Sequence, residues 1–328
     1  MKYFVTGATG FIGSHLVPKL IAQEHAVTCL VRSQAKAESL KKLGATLAQG
    51  DVTDKASVLE PLRGVDGVFH LAGMYELGRE YHDRMRAINV DGARNTFEAA
   101  LEAGVPRIVH TSTIGVFGNT HGKLPDETYR VAKSELSSEY ERTKWAAHYE
   151  VALPMIRRGA PIIITQPGAV TGPGDTSPLA QMFEMFLRRM PVMFGAKSGV
   201  TWAHVDDIAN GHILAMEKGR IGEAYILAGP ALTYREAMQV FEKISGIGAP
   251  KVWLPGWAAG ATAGLFGALE RTFNANLMFS SEALSTLNDY TFYGAADRAK
   301  RELGWQPRPV EPIFKEVLDY ELQRRKSA

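Results

Sequence analysis

Eight residues near the N-terminus, Thr6-Gly7-Ala8-Thr9-Gly10-Phe11-Ile12-Gly13, restrict the fold more than any other part of the chain. They follow a short apolar run, Tyr3-Phe4-Val5, and precede a helical pattern near 11–23, so they occupy a strand-to-helix turn. Glycines there allow a tight reversal, let a diphosphate come against the main chain, and let the helix lie close on the sheet. The anion then meets the positive end of the helix. At this position the spacing implies a dinucleotide-binding loop. No Gly-Lys-Ser/Thr closes the motif, which excludes a P-loop.

The strand-helix alternation continues through the first half. Strands are expected at Tyr3–Val5, Ala26–Val31, Ala45–Ala48, Gly67–Leu71, Arg107–His110 and Pro161–Thr165, with helices near 11–23, 34–43, 54–62, 83–103 and 134–153. This order predicts an α/β fold, a doubly wound parallel sheet of Rossmann type. After Pro167 the pattern changes, with Pro and Gly clustered at Pro167-Gly168, Gly172-Pro173-Gly174 and Pro178. The expected division is a dinucleotide-binding domain over 1–168, to which 200–228 returns, and a smaller, discontinuous substrate-binding region over 169–199 and 229–328.

With 45% hydrophobic and 22% charged residues the chain falls in the globular range, which excludes wholesale disorder, collagen and coiled coil. Thirty-seven lysines and arginines against 35 acids leave +2, so no basic face for nucleic acid is expected. A single Cys29 cannot form an intramolecular disulfide, and the nine histidines lack metal-site spacing. A reducing compartment and no metal are expected. The glycine motif begins too early to leave room for a signal peptide, so a cytoplasmic location is expected. Val252 to Leu269 is an uncharged stretch of 18 residues with Gly256, Gly260 and Gly264 at four-residue spacing. Pro255-Gly256 and the many Ala and Gly residues argue for a helix packed in the protein or at a subunit contact over a membrane-surface helix or a span. A homodimer is left open.

The end of the second expected strand bears on the cofactor. An acid there would hold the adenosine 2′-hydroxyl, whereas Val31-Arg32-Ser33 offers a guanidinium that suits a 2′-phosphate. NADP is favoured and NAD stays open. Gly50-Asp51-Val52 lies where an adenine edge could be read, or where Asp51 simply caps its loop. Two Tyr-x-x-x-Lys spacings, Tyr129…Lys133 and Tyr140…Lys144, each place phenol and ammonium on one helical face. The ammonium is expected to lower the tyrosine pKa toward working pH and equip it for proton transfer to an alcohol or carbonyl oxygen. Thr111-Ser112-Thr113, at the end of the strand Arg107–His110, supplies the partner hydroxyl.

The ordered segments Thr6-Gly7-x-x-Gly10-x-x-Gly13, Asp51-Val52, His70-Leu71-Ala72-Gly73, Asn89-Val90-x-Gly92, Thr111-Ser112-Thr113, Tyr140-x-x-x-Lys144, Gln166-Pro167-Gly168 and His204-Val205-Asp206-Asp207 resemble the extended short-chain dehydrogenase/reductase family, of NAD-dependent epimerase/dehydratase type. Lys300-Arg301-Glu302-Leu303-Gly304-Trp305 extends the likeness to the C-terminus, and the dihydroflavonol reductase-like branch is the one it points to. The resemblance implies Thr113, Tyr140 and Lys144 as catalytic residues, with Tyr140 preferred to Tyr129 because Arg142-Thr143-Lys144 fits the family pattern. It implies cofactor contacts from Gly7, Thr9, Gly10, Phe11, Ile12, Gly13, Arg32, Asp51, Val52, Leu71, Ala72, Gly73, Asn89, Thr111, Tyr140, Lys144, Pro167, Gly168 and Val170. For Asn89 a backbone-capping amide is the plainer alternative.

Departures from the family pattern carry the substrate information. Ile114-Gly115 follows Thr113 where the family's dehydratases place acids, which disfavours elimination of water. Gly199-Val200-Thr201-Trp202-Ala203 lacks the arginine that anchors a sugar-nucleotide diphosphate, although Arg188, Arg189 or Lys197 could substitute. A stripe of Met182, Phe183, Met185, Phe186, Met190, Met193 and Phe194 reads either as helix core or as an adaptable substrate wall. The function expected is an NADP-dependent oxidoreductase acting on a small, partly apolar carbonyl or alcohol. The alternatives are a nucleotide-sugar epimerase with retained NAD(P) and a dinucleotide-binding regulator without turnover.

Overall fold

The computed structural model describes residues 1–258 except 77 and 178, residue 261, and residues 288–327. Six strands form in the first half: β1 (Lys2–Thr6), β2 (Ala26–Val31), β3 (Thr46–Gln49), β4 (Gly67–His70), β5 (Ile108–Thr111) and β6 (Ile162–Pro167). Seven follow: β7 (Ala169–Thr171), β8 (Val192–Phe194), β9 (Gly199–His204), β10 (Ala224–Leu227), β11 (Ala231–Thr233), β12 (Val252–Leu254) and β13 (Thr291–Phe292). The main sheet is parallel throughout, in the order β10-β6-β5-β4-β1-β2-β3. Strand order reverses between β1 and β4, and there, at the carboxyl ends, a doubly wound sheet opens a crevice for a ligand.

Burial on both faces explains the composition of these strands. Val5, Phe69, Val109 and Ile163 pack under the helices Phe11–Ala22 and Val205–Lys218, whereas Phe4, Val68, Ile108 and Ile162 pack under two long helices, 82–102 and 139–157. The expected helix 34–43 shrinks to Glu38–Lys42 after a short 3-10 turn. The expected 134–153 starts later, because Ser138 caps it by accepting from the Glu141 N–H at 3.2 Å, and runs on to 157. Pro154 fits there because the preceding turns, 146–152, are widened.

The return to the main sheet begins at Val205, not at residue 200. Residues 199–204 form β9, which pairs with β7, β11 and β13 in a separate four-stranded sheet. Fully buried Trp202 explains the difference: it packs edge-on against Phe183 and Phe314, beneath the helices Ala180–Leu187 and Val310–Ser327. Four residues of the methionine and phenylalanine stripe belong to the same core. Met182, Phe183, Phe186 and Met193 are buried with Phe241 of the helix Tyr234–Ser245 and Met185 packs against them, whereas Met190 is exposed. Of the stretch 252–269, Val252–Leu254 is a strand paired with β8, not a helix; from residue 259 onward, 261 apart, it lies outside the described residues. Among the described residues no helix is long and apolar enough to cross a membrane.

Candidate active site

The glycine loop leaves β1 at the point where strand order reverses. Gly7 has φ +72°, and a Cβ there would stand 2.6 Å from the Ala72 nitrogen; a Cβ on Gly13 would run into the Gly7 carbonyl. Gly10 caps the helix Phe11–Ala22 without any side-chain acceptor, and its first turn holds no acid. Its first N–H groups and its positive end are thus free of competing side chains, and the cradle fits a diphosphate. Thr9 is exposed on the loop, and half-buried Phe11 and Ile12 start the helix, Phe11 standing edge-on to His15. The β4 exit lies alongside: Leu71 N donates to the Thr6 carbonyl and Ala72 N to Thr6 Oγ1, both at 3.2 Å.

At the end of β2, exposed Arg32 lines a pocket of about 340 Å³ with Thr9, Val31, Ser33, Lys36 and Arg84. Asp51 caps its own loop, its Oδ1 accepting from Thr53 N and Thr53 Oγ1 at 2.9 Å each. Val52 is buried against Gly92 of the helix 82–102. Asn89, also on that helix, clamps the loop after β4: its Oδ1 accepts from Met74 N at 2.7 Å, and its Nδ2 donates to Met74 O and to Thr143 Oγ1 at 3.0 Å each. Gly73 is held beside it, 3.5 Å separating a Cβ built there from Asn89 Oδ1 and 3.8 Å from Lys144 Nζ. The capping role first weighed against Asn89 is therefore the one its amide performs.

Tyr140 and Lys144 share one turn of the helix 139–157 beside the carboxyl end of β5. The Thr113 side chain stands beside the Tyr140 phenol and draws its pKa down, and Thr113 Oγ1 accepts from Gly115 N at 3.1 Å. Buried Lys144 donates to the Thr111 carbonyl at 2.7 Å, and burial lowers its pKa to about 8. The expected lowering of the tyrosine pKa is not found. Burial pushes Tyr140 up to about 12, Thr113 pulling it down and the Glu141 charge adding to the rise, while the Lys144 ammonium is directed to the Thr111 carbonyl. The Thr111 hydroxyl turns inward to His212 Nε2 at 2.8 Å. Pro167 closes β6; a Cβ on Gly168 would stand 2.6 Å from the Thr201 carbonyl; Val170 pairs with Ala203 in the smaller sheet. The second Tyr-x-x-x-Lys pair is not on a helix. Tyr129 packs edge-on against Phe117, and Lys133 pairs with Glu150 at 3.2 Å.

Several residues at this site gave no signal in the reading above. Glu141 is buried and accepts from Ser137 N, Ser137 Oγ, Ser138 Oγ and Tyr290 OH at 2.6–3.1 Å, which ties the N-terminus of the catalytic helix to the strand-forming segment at 290–293. The spacing Ser138-x-x-Glu141 is that of a capping box and could have flagged the acid; Tyr290, 149 positions away, could not. The Tyr75 ring lies 4.4 Å from that of Tyr140 and is 47% exposed, an aromatic face beside the phenol. Four buried histidines, His70, His110, His148 and His212, lie below. Burial first, with the Lys144 charge adding to it for the first three, takes them to about 3, well below normal, about 3 and about 4, so none carries charge near neutral pH. Cys29 is buried, and burial pushes its thiol up to about 12, which makes it inert.

Residues 3–228 match the family model described as the NAD dependent epimerase/dehydratase family. The chain belongs to that family. This extended short-chain dehydrogenase/reductase is 30% identical over 329 residues, 99% of each chain, to sterol demethylase protein B of Methylococcus capsulatus. It is 32% identical over 262 residues to a putative dihydroflavonol 4-reductase of Synechocystis, covering 78% of this chain and 76% of the relative. The crystal structure of a protein named gox2253 superposes with a TM-score of 0.83 at 33% identity over 98% of both chains. The short-chain dehydrogenase/reductase assignment and the Rossmann fold expected from the sequence both hold.

Proposed function

We propose that the protein is an NADP-dependent reductase of a small, partly apolar ketone or aldehyde. The observation that carries this reading is the group of three: Thr113 beside the Tyr140 phenol, with Lys144 one turn further along the helix. A carbonyl oxygen meeting the Thr113 and Tyr140 hydroxyls is oriented by the first and receives the proton of the second, and a phenol with a pKa of about 12 holds that proton at neutral pH. Lys144, positioned beside Gly73 and Thr111, binds the cofactor ribose and, by turning its ammonium toward the phenol oxygen, stabilises the phenolate left by proton transfer. Bound nicotinamide supplies the hydride that goes to the carbonyl carbon. Tyr75 excludes water from one side and gives the substrate an aromatic surface to lie on.

Arg32 and its pocket support NADP over NAD, since a guanidinium fork matches a phosphate. The relative from Synechocystis is named a reductase, which agrees with this direction. The sugar-nucleotide alternative draws less support: the five residues 199–203 are all buried in β9, and Arg188, a candidate diphosphate anchor, is paired with Glu184 at 2.6 Å. Ile114 and Gly115 are buried and carry no acid for elimination. The test is absorbance of NADPH with a panel of carbonyl compounds, beside nucleotide sugars followed by product stereochemistry. Oxidation of NADPH coupled to alcohol formation is expected. Sugar inversion on tightly retained NAD, without net consumption of NADPH, would replace this reading with the epimerase one.

A further inference from the structure

Three cations converge on the pocket beside the glycine loop, and they come from two distant parts of the chain. Arg32 and Lys36 follow β2, whereas Arg84 stands in the first turns of the helix 82–102, which follows β4. No carboxylate lines this pocket of about 340 Å³. Among the described residues, the side chains of Arg32, Lys36 and Arg84 take part in no ion pair or hydrogen bond, so no acid of the chain neutralises the three charges gathered at this one pocket. Like charges held around one cavity repel one another, and their arrangement becomes favourable when an anion of matching charge enters.

The anion has an address. Thr9 of the glycine loop and Val31 of β2 share the lining, so the pocket adjoins the place where the adenosine end of a dinucleotide lies when its diphosphate meets the helix N-terminus. A phosphate monoester there carries nearly two negative charges and three acceptor oxygens, more than one guanidinium fork can fill. Arg84 is also well anchored: Met85 beside it is fully buried, and Asn89 on the same helix is fastened to Met74 and Thr143.

We propose that Arg84 is a specificity-determining residue that grips the cofactor 2′-phosphate together with Arg32. This rests on the NADP reading given above. Cofactor choice is then set jointly by the end of β2 and by a helix that also carries the clamp on the loop after β4. The residue lies 52 positions beyond Arg32, outside the segment in which the choice between NAD and NADP is read from a sequence.

The test uses the full chain and two fragments, 2′,5′-ADP and 5′-AMP, titrated calorimetrically, with NADP and NAD as the complete ligands. Arg84→Ala should weaken 2′,5′-ADP and NADP about tenfold or more and leave 5′-AMP and NAD nearly unchanged. Arg84→Lys should restore part of the loss, and Arg32→Ala with Arg84→Ala should abolish the preference. Arg84 is exposed, so its removal leaves the core intact, and unchanged thermal unfolding verifies this. Equal weakening of both fragments would assign Arg84 to the adenine, and no weakening of either would leave it outside the site; each overturns the inference alone. If the unmodified protein binds 2′,5′-ADP no more tightly than 5′-AMP, the NADP reading itself falls.

Discussion

Replacing Lys144 by Met should change how stability depends on pH in a way that isolates one buried charge. Burial takes Lys144 from 10.5 to about 8 in the folded chain. Between those values the unfolded chain holds a proton that the folded chain has released, so raising the pH stabilises the fold. At 1.36 kcal/mol per pH unit the full difference is about 3 kcal/mol, of which about 2.5 kcal/mol falls between pH 7 and pH 10. The variant lacks this titration. It also leaves the Thr111 carbonyl without its donor, at about 1–3 kcal/mol, but that loss is nearly independent of pH and drops out of the slope. Urea unfolding of both proteins across this range gives the difference directly. The parent should gain about 2.5 kcal/mol on the variant as the pH rises. A flat difference would show that Lys144 keeps its ordinary pKa and that its burial does not penalise the ammonium.

Other consequences can be measured as directly. Tyr140→Phe should lower turnover by about 10²–10⁴-fold with cofactor affinity nearly intact, while Tyr129→Phe, which alters a ring packed on Phe117, should change turnover little; the reverse order would move the site to the other tyrosine. Glu141→Ala, which strands four donors, should cost about 2–4 kcal/mol in urea unfolding, and Glu141→Gln markedly less; equal costs would remove the carboxylate from the account. The four buried histidines, all lowered from 6.5, contribute stability that is lost as the pH falls below 6.5. His70, His148 and His212 should each cost about 2 kcal/mol at pH 5, about 6 kcal/mol together, with His110 acting in the same direction, against a total stability of about 5–15 kcal/mol. A urea midpoint unchanged between pH 7 and pH 5 would contradict this.

What the sequence revealed and what it hid follow the range of the forces involved. The glycine loop, the apolar strands and the Tyr140…Lys144 spacing are local, because a turn, a buried strand and one helical face are each specified within a few residues. The helix 139–157 starts several residues later than its composition suggests, since Lys133-Ser134-Glu135 also has helix-forming composition, and the cap at Ser138 sets the boundary. The segment from residue 200, with Trp202, is expected in the main sheet. The aromatic partners Phe183 and Phe314 that hold it in the smaller sheet belong to other elements, and Phe314 lies far off in sequence. Tyr290 on Glu141, Arg84 in one pocket with Arg32, and the Tyr75 ring beside that of Tyr140 are likewise products of tertiary packing.

Single-turnover transfer of deuterium from NADPH labelled at nicotinamide C4 tests the central claim most directly. With a carbonyl substrate the account predicts one deuterium, fixed at the carbinol carbon, for each NADPH oxidised, and none when Tyr140 is Phe. Label that remains on a retained cofactor while a nucleotide sugar inverts would contradict it.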